Sequence, residues 1–492
     1  MDTKKLRQKI LDLAIRGKLV PQDPNDESAS VLLERIRAEK ERLIAEGKIK
    51  RPKKSKASSA ESHYQNFTPP FEAPAYWGWC KIDDVAFVTK LAGFEYSKYI
   101  ADNLSSEFGI PLFKGKNVKN GAIDYTFESF IPEPISDELW RSQITKKCLL
   151  TPYVGAIGNV GIHHKTGKFH LGSNVGKIEI FNEHESLYSE EYLRYYLLST
   201  YGYKELTKHK KATAQESISI DAIRDVIIPV VGIDEQFRIV SEIEKWGKFL
   251  DNIDNGILQL TDYISLAKSK ILDLAMQGKL VPQDPTDEPA ADMLRRINPK
   301  AKIITDNPHY PRWVSTQLGE VCDFERGITF PSVAKEHTKT INNIACLRTA
   351  NIHDEVDLTS LWFIDKSFLR GNSNKLIRLG DIIMSTANSR ELVGRSVIIK
   401  TCEEEMTFGG FVTAIRTSVL SPAFLQLFLK YKTMRGDFSK IATQTTNIAN
   451  LNTKILSGVY ISFPCLMEQK RIVAKIEQLY QILDEIEASL QS

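Results

Sequence analysis

Apolar residues recur at intervals of three and four in two long stretches. From Ile233 they fall at Phe237, Val240, Ile243, Trp246, Leu250, Ile253, Ile257, Leu260, Ile264 and Leu266. That is the period of an amphipathic helix. A stripe of about 34 residues predicts a rod of roughly 50 Å at 1.5 Å per residue. A matching stripe closes the chain at Ile472, Val473, Ile476, Leu479, Leu483, Ile486 and Leu490. The near-heptad spacing favours a long antiparallel helix pair acting as a spacer over two helices packed on separate domains. Two shorter helices, reading KILDLA, should end near Gly17 and Gly278, where glycine precedes an irregular VPQDP segment. Between the helices lie residues 72–232 and 310–464. Each opens with short β-rich runs punctuated by Gly, Asn and Ser, then turns to helical spacing at 190–206 and 421–435.

The helical stretches repeat. Residues 9–36 and 270–297 are identical at 20 of 28 positions, at a constant offset of 261. Residues 233–257 and 466–490 share Glu-Gln-x-Arg-Ile-Val, then Ile243/Ile476, Leu250/Leu483, Asp251/Asp484 and Ile253/Ile486. In mid-chain the second block runs into the first; at the ends the same pair is split. This order reads as a circularly permuted duplication, pseudo-twofold, with termini that meet. The intervening segments align only in outline: Trp79 with Trp313, IPLFKGKNV with IACLRTANI, CLLTPYVGAIGNVG with DIIMSTANSRELVG, and SEEYLRYYLLS with SPAFLQLFLKY. A preserved scaffold carrying diverged domains suggests one task performed on two targets.

Composition narrows the class without naming a function. Hydrophobic residues at 42% and charged residues at 26% describe an ordinary globular chain. No run approaches the roughly 18–20 apolar residues of a membrane helix, and the charged N-terminus lacks a signal-peptide core. Six dispersed cysteines form no CxxC pair, which fits a reducing cytoplasm. A net charge of +3 is too small to indicate nucleic acid by itself. Residues 35–56 hold ten Lys/Arg and read as a helix tail leading into a small, polar linker at 57–70. That run is expected to be a solvated arm rather than a DNA contact.

Catalytic motifs are missing. No glycine cluster has phosphate-loop spacing, and GAIGNVG (155–161) reads as a turn. No Asn-Pro-Pro-aromatic run of an amino-methyltransferase and no GxSxG elbow occurs. His163, His164 and His170 lack metal-ligand spacing and are expected to be surface polar residues. The variable segments instead offer polar and basic loops. Lys114, Lys116, Asn117, Lys119 and Asn120 face Arg348, Thr349 and Asn351 in the alignment. Thr386, Asn388, Ser389, Arg390 and Arg395 follow a buried strand. Lys208, Lys210, Lys211, Thr213 and Gln215 match a stretch holding Gln444, Thr445, Thr446 and Asn447. Cations suit phosphate oxygens, while Asn, Gln and Arg can pair with base edges. Each residue alone would pass for a solvated loop position; recurrence in both copies makes the group a DNA-contact candidate. Gln236, Arg238, Ile239, Gln469, Arg471 and Ile472, in the repeated helices, serve either partner docking or helix packing.

The whole pattern resembles the specificity subunit of Type I restriction–modification enzymes. The repeated helical blocks carry the likeness strongly, and the variable domains only in outline. The resemblance implies an α+β fold with two α/β target recognition domains, at 72–232 and 310–464. They alternate with a central helical spacer (233–309), a closing helix (465–492) and an N-terminal segment (1–71) that completes it. It implies that each domain reads half of a bipartite asymmetric sequence in double-stranded DNA. It further implies that the helices dock two methyltransferase subunits, to which two restriction subunits can be added. On that footing the chain is non-catalytic, carries no cofactor or metal, and touches no membrane. S-adenosylmethionine, and ATP with Mg, would belong to the partners. A non-catalytic adaptor presenting two divergent protein-binding domains on a helical rod is the alternative.

Overall fold

The computed structural model describes residues 2–49, 68–119, 121–182, 185–211, 216–303, 305–306, 312–445 and 448–491. The end of the basic arm, from 50, and linker residues 57–67 lie outside the described residues. The chain divides into two compact units, Met1–Gly256 and Ile257–Ser492. Each has its own apolar core.

The amphipathic stripe forms one uninterrupted helix, Ile233–Met276, of 44 residues. At 1.5 Å per residue that is roughly 66 Å. It is longer than the stripe suggests because the residues linking the two repeated blocks are also helical. Val240, Ile243, Leu250 and Ile264 are buried, whereas Phe237, Leu260 and Leu266 are exposed. A two-helix contact covers only a narrow seam, so a broad stripe leaves its flanks uncovered.

In the first unit the opening helix, Thr3–Ile15, runs antiparallel to the long helix. Ala14 and Ile15 join the core that holds Ile239, Val240 and Ile243. Further along, Arg7 bridges Asp251 at 2.8 Å and Asp254 at 2.9 Å. The second unit repeats this with the closing helix, Leu466–Gln491. Ile472 and Ile476 pack with Leu272 and Ala275, and Lys268 bridges Asp484 at 2.6 Å and Glu487 at 3.2 Å. Arg7 and Lys268 are equivalent in the repeat, as are Asp251 and Asp484. The sequence repeat is therefore also a repeat of contacts.

Both KILDLA helices close as expected. Gly17 and Gly278 take positive φ, +67° and +65°. The Lys18 N–H donates to Leu13 O and Lys279 N–H to Leu274 O, each at 2.9 Å. Glycine at this left-handed position satisfies carbonyls that the helix end would leave open. A Cβ at Gly17 would also sit 2.7 Å from Pro74 Cγ. Gly17→Ala is expected to lower the first unit's stability by about 1–3 kcal/mol, read as a shift of its denaturant midpoint at unchanged m-value. An unshifted midpoint would refute this.

Each domain is built on a four-stranded antiparallel sheet. In the first, the order is Ala86–Lys90, Val175–Ile180, Cys148–Pro152, Gly161–His163; in the second, Asp323–Arg326, Val412–Arg416, Ile382–Ser385, Ser396–Ile398. The registers match: Val175 lies opposite Pro152 as Val412 lies opposite Ser385. Beside this sheet a parallel pair recurs, Ile110–Phe113 with Phe169–Leu171 and Asn343–Leu347 with Met406–Phe408. The helical spacing near 190 and 421 becomes Glu190–Leu198 with Thr200–Thr207, and Pro422–Met434 with Asp437–Ile441.

Candidate nucleic-acid interface

The Glu-Gln-x-Arg-Ile-Val motif is spent on fastening each domain to its own helix. Glu235 accepts the Trp77 indole N–H at 3.3 Å, and Glu468 that of Trp313 at 2.9 Å. Trp77, rather than Trp79, is thus the counterpart of Trp313; Trp79 is the second residue of the strand Gly78–Lys81. Gln236 accepts the Ser189 N–H at 2.8 Å and donates to Val231 O at 2.8 Å. Gln469 accepts the Ser421 N–H and donates to Pro464 O, again both at 2.8 Å. Arg238 holds Asp26 at 3.0 Å, and Arg471 holds Asp287 at 2.6 Å, both in the segments that follow VPQDP. Ile239 and Ile472 are fully buried. All six side chains make contacts within their own unit. Burial pushes the carboxyls of Glu235 and Glu468 upward, against the pull of the tryptophan hydrogen bonds.

The aligned basic loops share one backbone design. In the first domain Asn117 accepts the Lys114 N–H at 2.9 Å and donates to Asp124 O and Thr126 O, both at 3.0 Å. In the second, Asn351 accepts the Arg348 N–H at 3.0 Å and donates to Asp357 O at 2.9 Å. Both asparagines are buried, at 4% and 0% exposure. Their amides cannot face a base edge; they staple the loop that presents their neighbours. The sequence made them candidates because an asparagine that holds a turn looks the same as one that reads DNA.

The cations beside them are differently placed. Lys114 donates to Ser129 Oγ at 2.7 Å, Lys116 pairs with Glu128, and Lys119 meets Asp124 at 2.7 Å. These contacts hold the Asp124 carboxyl well below the usual range, through Lys119 first and Thr126 next. Lys208 lies 3.6 Å from Glu205 and Lys210 2.6 Å from Glu216; Lys211 is exposed. Arg348 and Lys335 both lie over the Trp362 ring, at 4.4 Å and 4.1 Å from its centroid, and Thr349 is half-buried. Thr386 is buried against Phe411 O and Thr413. Asn388 donates to Ser385 Oγ at 3.2 Å, Ser389 is half-buried, and Arg390, Arg395 and Gln444 are exposed. Asn120, Thr213, Gln215, Thr446 and Asn447 lie outside the described residues, as does the Thr445 side chain.

Backbone hydrogen bonds bring the separate loops to one end of each sheet. In the first domain Gly115 N–H donates to Ser173 O at 3.1 Å, Tyr153 N–H to Asn174 O at 3.1 Å, and Ile218 N–H to Tyr153 O at 2.9 Å. In the second, Gly409 N–H donates to Leu347 O at 2.8 Å, Thr386 N–H to Phe411 O at 3.0 Å, and Leu451 N–H to Thr386 O at 2.8 Å. The Lys114 loop and the segment from Glu216 to Ile218, far apart in sequence, thus border one platform. The Arg348 loop and the paired strands Thr443–Thr445 and Ile448–Asn450 border its counterpart. Lys90, Tyr153 and Asn174 in the first domain, and Arg326 and Phe411 in the second, belong here and carried no motif. Only Tyr153 could have been found, from the alignment that sets it against Thr386.

Of the three histidines, His164 is exposed as expected and the other two depart from expectation. His163 and His170 are fully buried rather than at the surface. His163 packs edge-on against Phe113 and Phe169, with Nδ1 3.3 Å from the Tyr125 hydroxyl. Burial lowers its pKa from 6.5 to about 4, so it is neutral at pH 7. Folded His163 takes up its proton less readily than the unfolded chain. Its contribution to stability is whole above pH 6.5 and is lost as pH falls towards 4. The strand register sets Ile399 at the equivalent place. His163→Ile is expected to flatten this acid limb of the first unit's stability, by roughly 3 kcal/mol at about 1.4 kcal/mol per pKa unit. An unchanged limb in urea titrations between pH 6.5 and 4 would contradict it.

Among the described residues no helix is long and apolar enough to cross a membrane. Two units of one frame, each ending in a polar platform of different side chains, define a protein that presents two distinct recognition surfaces. Comparison with known proteins places it further. The family described as the Type I restriction modification DNA specificity domain matches residues 77–262 and 311–492, and the chain belongs to that family. It is 27% identical to the Type I restriction enzyme EcoAI specificity subunit of Escherichia coli, over 98% of this chain and 90% of that one. It is 24% identical to the EcoEI specificity subunit of Escherichia coli, over 99% and 91%. A chain from a solved structure of type I R-M system assembly and conformational transition superposes with a TM-score of 0.51 at 19% identity, covering 86% of this chain and 96% of that one.

Proposed function

We propose that this chain is the DNA sequence-recognition subunit of a Type I restriction–modification complex. The first domain reads one half of a bipartite, asymmetric target and the second reads the other. The observation that carries this is the pair of matched platforms: the backbone bonds Tyr153 N–H to Asn174 O and Ile218 N–H to Tyr153 O recur as Thr386 N–H to Phe411 O and Leu451 N–H to Thr386 O, with different side chains on them. A shared main-sheet frame keeps the approach to DNA the same, while different donors, acceptors and apolar groups select different bases.

The helices would dock two methyltransferase subunits, since a duplicated scaffold offers equivalent surfaces to two copies of one partner. Restriction subunits could join that core. Methyl transfer from S-adenosylmethionine, and ATP- and Mg-dependent steps, would then lie on the partners, leaving this chain non-catalytic. The modest net charge of +3 suits a reader whose partners supply much of the phosphate contact. The setting would be the cytoplasm, where the DNA is.

Base-resolution mapping of adenine methylation in the host, with the gene intact and deleted, tests the reading. A split motif that disappears on deletion is the expected result; identical maps would overturn it. Removing one turn from the middle of Ile233–Met276 is expected to change the tolerated spacer between the half-targets without altering the bases read. The same methylation map reports both, and an unchanged spacer would show that the helix is no ruler.

A further inference from the structure

Strand register identifies three positions that occupy the same place on both platforms; one keeps a cation in both and two differ in chemistry. Lys90 lies opposite Gly176, and Arg326 opposite Thr413, at the end of the first strand of each main sheet. Tyr153 and Thr386 each follow the strand that pairs with the next one, donating their N–H groups to Asn174 O and Phe411 O. Asn174 and Phe411 are therefore counterparts, each immediately before a buried valine, Val175 or Val412. No alignment of the two segments by residue type brings them together, because HLGSNV and TFGGFV agree in little but one glycine and the final valine.

The backbone at this position is pinned while the side chain is left over. In the second domain Phe411 O accepts the N–H groups of both Thr386 and Ala387, at 3.0 and 3.3 Å. The Thr386 hydroxyl adds a third bond at 3.3 Å. Phe411 itself is 61% exposed between the fully buried Phe408 and Val412. In the first domain Asn174 adopts φ +65°, a left-handed conformation that few residues other than Gly and Asn tolerate. Its amide makes no hydrogen bond among the described residues. A phenyl ring left largely in solvent and an amide with no partner among the described residues add little to the stability of their own hairpins. Both are chemically suited to a base edge. Asn matches the paired donor and acceptor of adenine, and Phe matches the methyl group of thymine. Cations flank both: Lys90 sits 4.5 Å from the Tyr153 ring centroid, and Arg326 Nε donates to Gly410 O at 3.1 Å.

We infer that Asn174 and Phe411 are specificity-determining residues, each discriminating one base pair in its own half-target, Asn174 at an adenine and Phe411 at a thymine. Lys90 and Arg326 act beside them as sequence-independent phosphate contacts. The inference rests on the proposed function and sharpens it to two side chains.

The test replaces the chromosomal gene with Asn174→Gly, which keeps the left-handed backbone accessible, or with Phe411→Ala, and maps adenine methylation in the host. Asn174→Gly is expected to relax one position of one half-target, and Phe411→Ala one position of the other. Discrimination at the affected base should fall by about 5- to 150-fold, the range expected for losing one base contact. A motif unchanged at every base, with methylation retained, overturns the inference while leaving the function intact. Identical maps for the unaltered and deleted genes would instead overturn the function itself. Should Phe411→Ala abolish methylation altogether, Phe411→Asn, which installs the other domain's residue, decides: a new base at a single position supports the inference, and an unaltered motif or a change in both halves refutes it.

Discussion

Replacing residues 72–232 by the corresponding domain of a related specificity subunit is expected to change one half of the DNA target and leave the other half read as before. The physical ground is that each unit is fastened within itself. Trp77, Glu235, Gln236 and Ser189 tie the first domain to its own helix, and Trp313, Glu468, Gln469 and Ser421 repeat those ties in the second. An incoming domain that carries the tryptophan and the serine finds its partners waiting on the helix. Each mismatched base pair costs about 1–3 kcal/mol, so several mismatches in one half remove binding to the old site. Methylation mapped at base resolution gives the answer directly. Changes in both halves would show that the domains do not read separately.

The second large effect concerns stability. Asp381 is buried and receives Arg416 through Nε and Nη2, both at 2.8 Å. Arg416 also donates to Asn374 O at 3.0 Å and Leu376 O at 2.8 Å, which ties the main sheet to a neighbouring loop. Asp381→Ala is expected to destabilise the second unit by about 3–5 kcal/mol, because it leaves a largely buried guanidinium without its counter-charge. Asp381→Asn keeps an acceptor in place and should lose less. The change also reaches the platform, since Asp381 immediately precedes the strand Ile382–Ser385 that leads into Thr386. Chemical denaturation of the full chain, followed by a probe in the second unit, measures it. An equal loss in Asp381→Asn and Asp381→Ala would locate the effect in the lost charge alone, and an Asp381→Asn variant as stable as the unaltered chain would locate it in shape and hydrogen bonding instead.

Helices, caps and the duplication were legible because their signals are local. A 3.6-residue period, a glycine at a helix end and an exact repeat can each be read without knowing what lies opposite. The Glu-Gln-x-Arg-Ile-Val motif was visible for the same reason, but its purpose was not. Gln236 could equally have faced a partner; only the Ser189 N–H and Val231 carbonyl on either side of it make it a fastener. Asn117 and Asn351 show the same limit from the other direction. They stood out as polar residues in a basic loop, and their burial turned them into staples.

The platform lay further out of reach. Lys90, Tyr153 and Asn174 are 63 and 21 positions apart and follow no common spacing. They meet because three strands of a sheet end at the same edge. The amino-acid sequence alone determined the architecture of this protein: two copies of one frame, the helices that carry them, and the family to which they point. The tertiary structure alone decided which side chains remain free to meet DNA. A side chain's availability depends on what its neighbours in space have already bonded, and strand register, not chain order, chooses those neighbours.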